Sequence, residues 1–232
     1  MPTIVIASSK GGSGKSTTAA LLASALVEHG ASVTVIDADP NHPLSSWAKS
    51  VGKHPLLTVK SDVKEETITD TIEEEAAKAA FVIVDLEGTA SLTVGYAISR
   101  ADLVIIPTQG SQLDATQTSK TVRLVTAQEK SLRMKIPTAI LFTRTSSVIR
   151  PRTLTAIEAE LRKAGIKVLD TQINERDAYK ALFTFGRMLS GLHPTQVSNL
   201  PGAAANAKAL MVEVVNLLKE EAAPAPRAAE VA

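Results

Sequence analysis

The chain of 232 residues contains no cysteine, and aromatic residues make up only 3% of it. The absence of cysteine excludes disulfides, thiolate metal sites, iron–sulfur ligands and cysteine nucleophiles, and it suits a reducing cytoplasm. So few aromatic side chains leave little material for stacking on single-stranded bases. No apolar run approaches the roughly 18 residues that a membrane helix needs. We therefore expect a soluble, cytoplasmic protein.

Charge is distributed unevenly along the chain, although the formal net charge is only +1. Residues 1–119 hold 8 Lys and Arg against 14 Asp and Glu, whereas residues 120–187 hold 14 Lys and Arg against 6 Asp and Glu. This concentration of positive charge indicates an anionic partner for the third quarter of the chain. Basic residues on solvated helix faces would give the same counts, so both interpretations stay open here.

Apolar runs and helical patterns alternate along the chain. Runs rich in Val and Ile predict buried strands at 3–8, 32–37, 81–85, 102–107, 137–143 and, more weakly, 166–170. Helices are predicted between them at 16–29, after Pro43, and at 64–79, 112–130 and 151–164, and a last one at 203–221. The alternation predicts an α/β fold, a doubly wound, mostly parallel sheet with helices on both faces.

Length and composition favour a single domain. With 44% apolar residues the chain can bury one large core, which we expect to span residues 1–221. Residues 222–232 are rich in Ala and Pro and lack periodicity, so a disordered tail is predicted. In the helix at 112–130, we expect Leu113, Val122 and Val125 to supply the apolar stripe.

Residues 10–17 read Lys-Gly-Gly-Ser-Gly-Lys-Ser-Thr and stand between the first strand and the first helix. The three glycines can adopt positive φ, which lets backbone N–H groups approach phosphates, and the helix points its positive dipole end at them. Lys15 would reach the β and γ phosphates. A Gly/Ser turn that happens to contain lysines is the alternative, but every position suits a phosphate loop. The nucleotide-binding candidates here are Gly11, Gly12, Ser13, Gly14, Lys15, Ser16 and Thr17.

Three carboxylates follow two of the predicted strands. Asp37 and Asp39 end the second strand, and Asp85 ends the third. Because the carboxyl ends of parallel strands meet at one edge, these acids should lie beside the phosphate loop. Asp85 has the position of a Walker B aspartate, and the Ser16 hydroxyl is suited to Mg²⁺. An isolated Asp there is often a turn former or helix cap, but three together favour a metal site.

The loop with its second lysine, Lys10, the segment Asp-Ala-Asp-Pro at 37–40, and Asp85 resemble the deviant Walker A ATPases of the ParA/MinD superfamily, P-loop NTPases of the SIMIBI type. The likeness extends over most of the chain, including the run at 102–107 that ends in proline and the segment at 112–114. The length, and the start directly at the loop strand, resemble the small ParA proteins of plasmid partition and their VirC-type relatives.

This resemblance implies roles for particular residues. Lys10 would reach across an ATP-bound dimer to the phosphates of the other subunit, and Asp39 would orient the attacking water. Adenine would lie against Thr143 and Arg144 and against the segment after residue 170, although many relatives have Asn at the position of Thr143. The implied catalytic residues are Lys10, Lys15 and Asp39, and the implied metal site consists of Ser16, Asp37 and Asp85. The implied cofactors are ATP and Mg²⁺.

The resemblance also implies partners and a biological role. These are a homodimer formed with ATP, nonspecific double-stranded DNA, and a ParB-like protein that stimulates slow hydrolysis. Plasmid or chromosome partition follows, with the ATP-bound form associated with the nucleoid. Arg176 could instead be a structural arginine paired with an acid. We expect the basic quarter to contact DNA phosphates from one face through Arg150, Arg152, Arg162, Lys163, Arg176, Lys180 and Arg187.

Two other functions stay open. A VirC-type DNA-transfer accessory factor would bind a specific DNA element or recruit a transfer complex, and a positioning ATPase for another cargo would use protein contacts. A MinD-like membrane helix is disfavoured, because Lys219-Glu220-Glu221 and then Ala and Pro stand at the end of the sequence. Asp85 is followed by Leu-Glu-Gly where relatives often have prolines, which leaves Glu87 without an assigned role.

Overall fold

The computed structural model of the protein describes residues 1–88, 91–149 and 151–223. Its strands form one open parallel sheet in the order β3-β2-β4-β1-β5-β6-β7, and β8 pairs with β6. This confirms the predicted doubly wound α/β fold. The strands are β1 Thr3–Ile6, β2 Val33–Ala38, β3 Leu57–Lys60, β4 Phe81–Leu86, β5 Leu103–Thr108, β6 Thr138–Thr145, β7 Lys167–Val168 and β8 Ile173–Asn174.

Helices cover both faces of this sheet. Successive residues of β1 point to opposite sides, so that Ile4 and Ile6 belong to one buried cluster and Val5 to the other. The first cluster includes residues of α1 Lys15–Glu28, α2 Pro43–Val51, α7 Asp177–Thr184 and α8 Leu200–Ala222. The second includes residues of α3 Ile68–Ala76, α4 Leu92–Ile98, α5 Gln112–Leu132 and α6 Arg152–Lys163.

The predicted strands and helices are present, with shifted ends. The elements that sequence periodicity does not reveal are short: β3, β8, α4 and α7 span 4, 2, 7 and 8 residues. Such lengths are too short to establish a period. The last helix begins earlier than predicted, at Leu200, because the Asn199 side chain caps it by accepting from the Gly202 N–H. The helix reaches Ala222, and residues 224–232 of the predicted tail lie outside the described residues.

The predicted apolar stripe of α5 is wrong at Leu113, whose side chain is 79% exposed. Val125 is buried as expected, and Val122 is half-buried. The other buried positions are Asp114, Thr118 and Thr121, which are all polar. The inner face of α5 is therefore fixed by hydrogen bonds as much as by apolar packing.

Helix α2 is tied to the turn that follows α7. The Trp47 indole N–H donates to the Arg187 carbonyl at 2.9 Å, and a Cβ added to Gly186 would overlap the Ser50 side chain. Gly186 also has a φ of 57°. The residue is thus required both for its backbone conformation and for the close approach of α2.

We predict that Gly186→Ala destabilises the protein more than Gly30→Ala. Both glycines have positive φ, but a Cβ on Gly30 would meet no atom within 4 Å. The Gly30 variant should lose about 1–2 kcal/mol from the left-handed backbone alone. The Gly186 variant should lose roughly a further 1–3 kcal/mol from overpacking against Ser50. Urea unfolding measures both losses, and equal values would contradict the contact with α2.

Candidate nucleotide-binding site

The loop between β1 and α1 has the backbone of a phosphate loop. Gly12 has a φ of 73°, and Gly14 caps α1 with a φ of 99°, whereas Gly11 does not use positive φ. A Cβ on Gly14 would lie 3.3 Å from the Thr143 side chain, so β6 packs directly against the loop. The conformation directs the N-terminal N–H groups of a 14-residue helix toward the space above the loop.

A groove of about 420 Å³ lies along this loop. Lys15 lines it and is almost completely buried, at 6% exposure. The groove joins the loop to the segments after β2 and β4, so it includes Glu87, to which the sequence assigns no role. Five of the predicted nucleotide, metal or catalytic residues do not line it: Lys10, Ser13, Asp37, Asp85 and Thr143. The lining residues are Gly11, Gly12, Gly14, Lys15, Ser16, Thr17, Asp39, Pro40, Asn41, Glu87, Gly88 and Arg144.

Two fully buried aspartates lie next to each other at the carboxyl ends of the neighbouring strands β2 and β4. Asp37 is the register partner of Asp85, and Asp85 is also the register partner of Ile6 at the end of β1. Neither Asp85 carboxylate oxygen has a hydrogen-bond partner, and one Asp37 oxygen also lacks one. The other Asp37 oxygen accepts from the Ser45 N–H at 2.7 Å. Both carboxyl groups are thus held where water cannot solvate their charge.

The surroundings of these aspartates raise their pKa values. Burial raises the pKa of Asp85 to about 7, with Ser16 and Lys15 opposing the rise and the charge of Asp37 adding to it. Burial also raises the pKa of Asp37, against the hydrogen bonds from Ser45. A bound cation would restore the charged forms of both groups.

The donor set fits Mg²⁺. Buried, unpartnered carboxylate oxygens and the Ser16 hydroxyl are hard ligands of the kind that Mg²⁺ prefers. Across residues 1–88, 91–149 and 151–223 there is no cluster of three or more His, Cys, Asp or Glu side chains able to hold a metal.

Asp39 lies on the wall of the groove and is half-buried. Its Oδ1 accepts two hydrogen bonds from Asn41, one from the backbone N–H and one from the side-chain amide, both at 2.9 Å. These bonds fix the carboxylate at the start of the turn that leads into α2. The other oxygen is not used by Asn41, which leaves it to interact with a ligand in the groove.

A second pocket, of about 260 Å³, adjoins the phosphate loop and suits a nucleobase. Arg144 lines both this pocket and the groove, and its φ of 53° lies in the left-handed region. It lies at a register shift where β6 pairs with β8. The pocket is lined by Gly14, Thr17, Thr143, Arg144, Ile173, Asn174, Glu175, Arg176, Tyr179, Lys180 and Phe183.

Thr143 contributes to this pocket mainly through the loop. Its buried hydroxyl lies 2.7 Å from the Ser13 carbonyl oxygen, to which it donates, and 3.2 Å from the Thr108 carbonyl oxygen. The family resemblance associates Thr143 with adenine, but the hydroxyl proton is already used to hold the phosphate loop. The segment after residue 170, which the family resemblance places against adenine, supplies the other walls of the pocket, including the rings of Tyr179 and Phe183. Periodicity alone gives no sign of these two rings, because isolated aromatic residues in a short helix carry no signal of a base site.

Lys10 points away from the groove and toward α5. Its ammonium group lies 2.5 Å from the Asp114 carboxylate, whose other oxygen is hydrogen-bonded by Ser111. Burial acts to raise the pKa of Asp114, but the bonds from Lys10 and Ser111 outweigh it and hold that pKa below its usual range. The Lys10 side chain remains 39% exposed, so it is anchored yet accessible.

The proposed DNA-contacting residues do not form one continuous face. Arg152, Arg162 and Lys163 belong to α6, while Arg176, Lys180 and Arg187 belong to α7 or its flanks on the opposite side of the sheet. Arg162 pairs with Glu158 and Asp170, and Lys180 pairs with Glu175.

Arg176 and Lys180 line the base pocket. The Arg176 guanidinium donates to the Asn174 side-chain oxygen at 3.4 Å. The sequence analysis offers pairing with an acid as the alternative to DNA contact, but this partner is a neutral amide. Its buried Nε has no partner. Arg150 lies outside the described residues.

Known proteins match the chain over most of its length. The model of a family described as VirC1 protein matches residues 1–221. Protein ParA of Rhizobium radiobacter is 42% identical over 220 residues, which cover 95% of this chain and 99% of that protein.

Solved structures share the fold. The ATP complex of an aspartate-to-alanine variant of Cyanothece McdA has a TM-score of 0.71 at 18% identity, covering 93% of this chain and 96% of that one. The MinD cell division protein of Aquifex aeolicus has a TM-score of 0.68 at 18% identity, covering 92% and 98% of the two chains.

We predict that Asp85→Asn changes the pH dependence of stability in the absence of nucleotide and Mg²⁺. The pKa of Asp85 is about 7 in the folded protein, above the ordinary value of 3.8, so the folded state binds this proton more tightly than the unfolded state. The wild-type free energy of unfolding should therefore fall as pH rises from about 4 to about 7 and then level off.

The Asn variant should lack this part of the decline and be more stable than wild type at pH 8, by on the order of a few kcal/mol. The two proteins should converge near pH 4. Urea unfolding across pH checks this, with the exposed Glu66→Gln as the control. Parallel profiles for wild type and the Asp85 variant would show that the carboxyl group ionises without cost.

Proposed function

The chain belongs to the VirC1 family within the ParA/MinD superfamily of P-loop ATPases, and from this premise we propose that it is a partition ATPase. In this proposal, ATP and Mg²⁺ join two chains into a sandwich dimer. The dimer binds double-stranded DNA without sequence preference, and hydrolysis, stimulated by a ParB-like partner, separates the dimer. Such a cycle would move a plasmid or chromosome as its cargo.

The position of Lys10 carries this proposal. Lys15 lines the groove of its own chain, whereas Lys10 does not and is held aside by Asp114. Lys10 does not reach the phosphate site of its own chain. Its ammonium group is therefore available to bind the phosphates of another chain. Supplied in trans, its charge would neutralise the negative charge that increases during phosphoryl transfer.

Residues of the groove, together with the buried Asp37 and Asp85, supply the other parts of hydrolysis. Lys15 and the loop N–H groups bind the β and γ phosphates, and Asp39 orients the attacking water with the oxygen that Asn41 does not use. Ser16, Asp37 and Asp85 hold the metal and its water shell. When bound, Mg²⁺ neutralises charge on the β and γ phosphates.

The charge distribution supports DNA as the anionic partner. Residues 120–187 carry 14 Lys and Arg against 6 Asp and Glu, and contacts to phosphates need only such charge. No helix in the described part of the chain is long and apolar enough to span a membrane. We propose a cytoplasmic protein that associates with the nucleoid when ATP is bound.

A VirC-type accessory role in DNA transfer is the second candidate, favoured by the family model that matches the chain. That role would involve a specific DNA element. Footprinting on random-sequence DNA and on the candidate element separates the two, because a protected, defined sequence supports the accessory role and uniform protection supports partition.

We predict that Lys10→Ala abolishes ATP-dependent dimerisation but leaves ATP binding by the monomer nearly unchanged. The lysine lies outside the groove of its own chain, so its loss removes only the contact made in trans. Light scattering coupled to gel filtration, with and without ATP and Mg²⁺, measures the dimer. Lys53→Ala, which removes an exposed lysine far along the chain, is the control. A dimer retained by the Lys10 variant would contradict the role in trans.

We also predict that random-sequence duplex DNA binds tightly only in the presence of ATP and Mg²⁺. Pairing two faces multiplies a weak affinity, so ADP and nucleotide-free protein should bind far more weakly. Titrations in the three nucleotide states across a salt series measure this, and the ATP-state affinity should fall steeply with salt. Equal or absent binding in all three states would instead favour a positioning ATPase with a protein cargo.

A further inference from the structure

Helix α5 carries a row of basic residues on its solvent face. We propose that Lys120, Arg123 and Lys130 of α5 form the surface that contacts the DNA phosphates. These residues differ from those that the sequence predicts for that contact, and the inference rests on the proposed function. All three side chains are exposed, together with the neutral polar residues Thr116, Ser119 and Thr126.

Helical geometry places this row opposite the buried side of α5. The buried residues Asp114, Thr118, Thr121 and Val125 follow one another at intervals of three or four, which defines a single inner stripe. At about 100° per residue, Arg123 and Lys130 project within about 30° of the direction opposite that stripe, and Lys120 lies about 50° to one side. The three cations therefore share one face and point away from the sheet.

These cations are not neutralised by any carboxylate in the described part of the protein. Among the described residues, Lys120, Arg123 and Lys130 form no ion pair with a carboxylate, in contrast with Arg162 and Lys180. The acids of α5 are used elsewhere: Asp114 is buried against Lys10, and Glu129 binds Lys135 and the Ile136 N–H. Over residues 1–88, 91–149 and 151–223, the exposed face of α5 is thus a positive surface without a compensating acid.

The inner face attaches this surface to the phosphate loop. The Ser9 N–H donates to the Thr121 hydroxyl at 3.0 Å, and the Ser9 hydroxyl donates to the Gln117 carbonyl at 2.9 Å. Lys10 is bound to Asp114 one turn earlier. Neighbouring α4 packs closely as well, since a Cβ on Gly95 would lie 2.9 Å from the Gln128 side chain. The row is therefore presented by a helix that is bonded directly to the nucleotide site.

The dimensions and chemistry of the row suit duplex DNA. Lys120 and Lys130 are separated by about 15 Å along the helix axis, over which one strand of B-DNA presents about four phosphates. The neutral residues exposed around the cations, Thr116, Ser119, Thr126 and Ala127, have short side chains, so a phosphate backbone can approach the helix closely. Aromatic residues are absent from α5, so the surface offers charge without base stacking.

The test uses the triple variant K120Q/R123Q/K130Q in the full chain, with ATP, Mg²⁺ and random-sequence duplex DNA. We expect at least about a tenfold loss of affinity and a shallower salt dependence, by about one in the slope for each phosphate that is no longer neutralised. Binding of a fluorescent ATP analogue should stay unchanged, because none of the three residues lines the groove or the base pocket. The variant K120R/R123K/K130R should retain DNA binding.

The matched control is K49Q/K53Q/K64Q, which removes the same charge from exposed positions in the acidic half of the chain. Wild-type affinity in the α5 triple variant, or an equal loss in the control, would overturn the proposal while leaving DNA binding intact. Absence of DNA binding by the wild type would overturn both this inference and the proposed function. Binding of the wild type to vesicles with anionic lipid, abolished in the triple variant while DNA binding persists, would assign the row to a membrane surface.

Discussion

The candidate site is built around two carboxylates that are buried side by side at the carboxyl ends of paired strands. Because Asp37 and Asp85 are register partners and Asp85 adjoins the end of β1, the geometry of the central sheet alone brings both acids to the base of the phosphate loop. Burial and mutual repulsion oppose their charged forms, and three of their four oxygens have no partner. Such an arrangement lowers the stability of the folded protein when no cation is bound. A cation bound between the carboxylates would offset this loss, so its binding would stabilise the fold.

Hydroxyl groups from distant elements hold the phosphate loop in place. Thr143 of β6 binds the Ser13 carbonyl, Thr121 of α5 binds the Ser9 N–H, and Gly88 approaches so closely that a Cβ there would lie 3.1 Å from the Gly11 nitrogen. These contacts come from three other parts of the chain, including the segment after Asp85. A displacement of any one of those segments would therefore alter the conformation of the loop, through a hydrogen bond or through direct packing.

The sequence predicts well what is local and less well what depends on pairs of distant residues. The phosphate loop and the strands are encoded in short contiguous patterns, and the structure has them. Polar residues are buried on the inner face of α5 because each is hydrogen-bonded: Asp114 to Lys10, Thr118 to Thr108, and Thr121 to Ser9. A search for hydrophobic periodicity cannot reveal such pairs. For the same reason the prediction for Leu113 is wrong. The sequence shows how many basic residues there are, but which acids they pair with and on which side of the sheet they lie depend on the fold. Arg176 and Lys180, predicted to contact DNA, line the base pocket instead.

The contact between Lys10 and Asp114 shows why a nucleotide could control a surface on α5. The Asp114 side chain is only 4% exposed, so the departure of Lys10 would leave a buried carboxylate with Ser111 as its remaining side-chain partner. That cost must be offset by what Lys10 binds instead, and a ligand shifts such an equilibrium only by its differential affinity for the two states. In the proposed dimer, the γ phosphate of the other chain supplies such a partner, and ADP has no γ phosphate to offer. Helix α5 bears Asp114 on its inner face and, within the described residues, unpaired cations on its outer face. If the proposed function holds, α5 is the element on which the state of the nucleotide and the binding of a polyanion would both act.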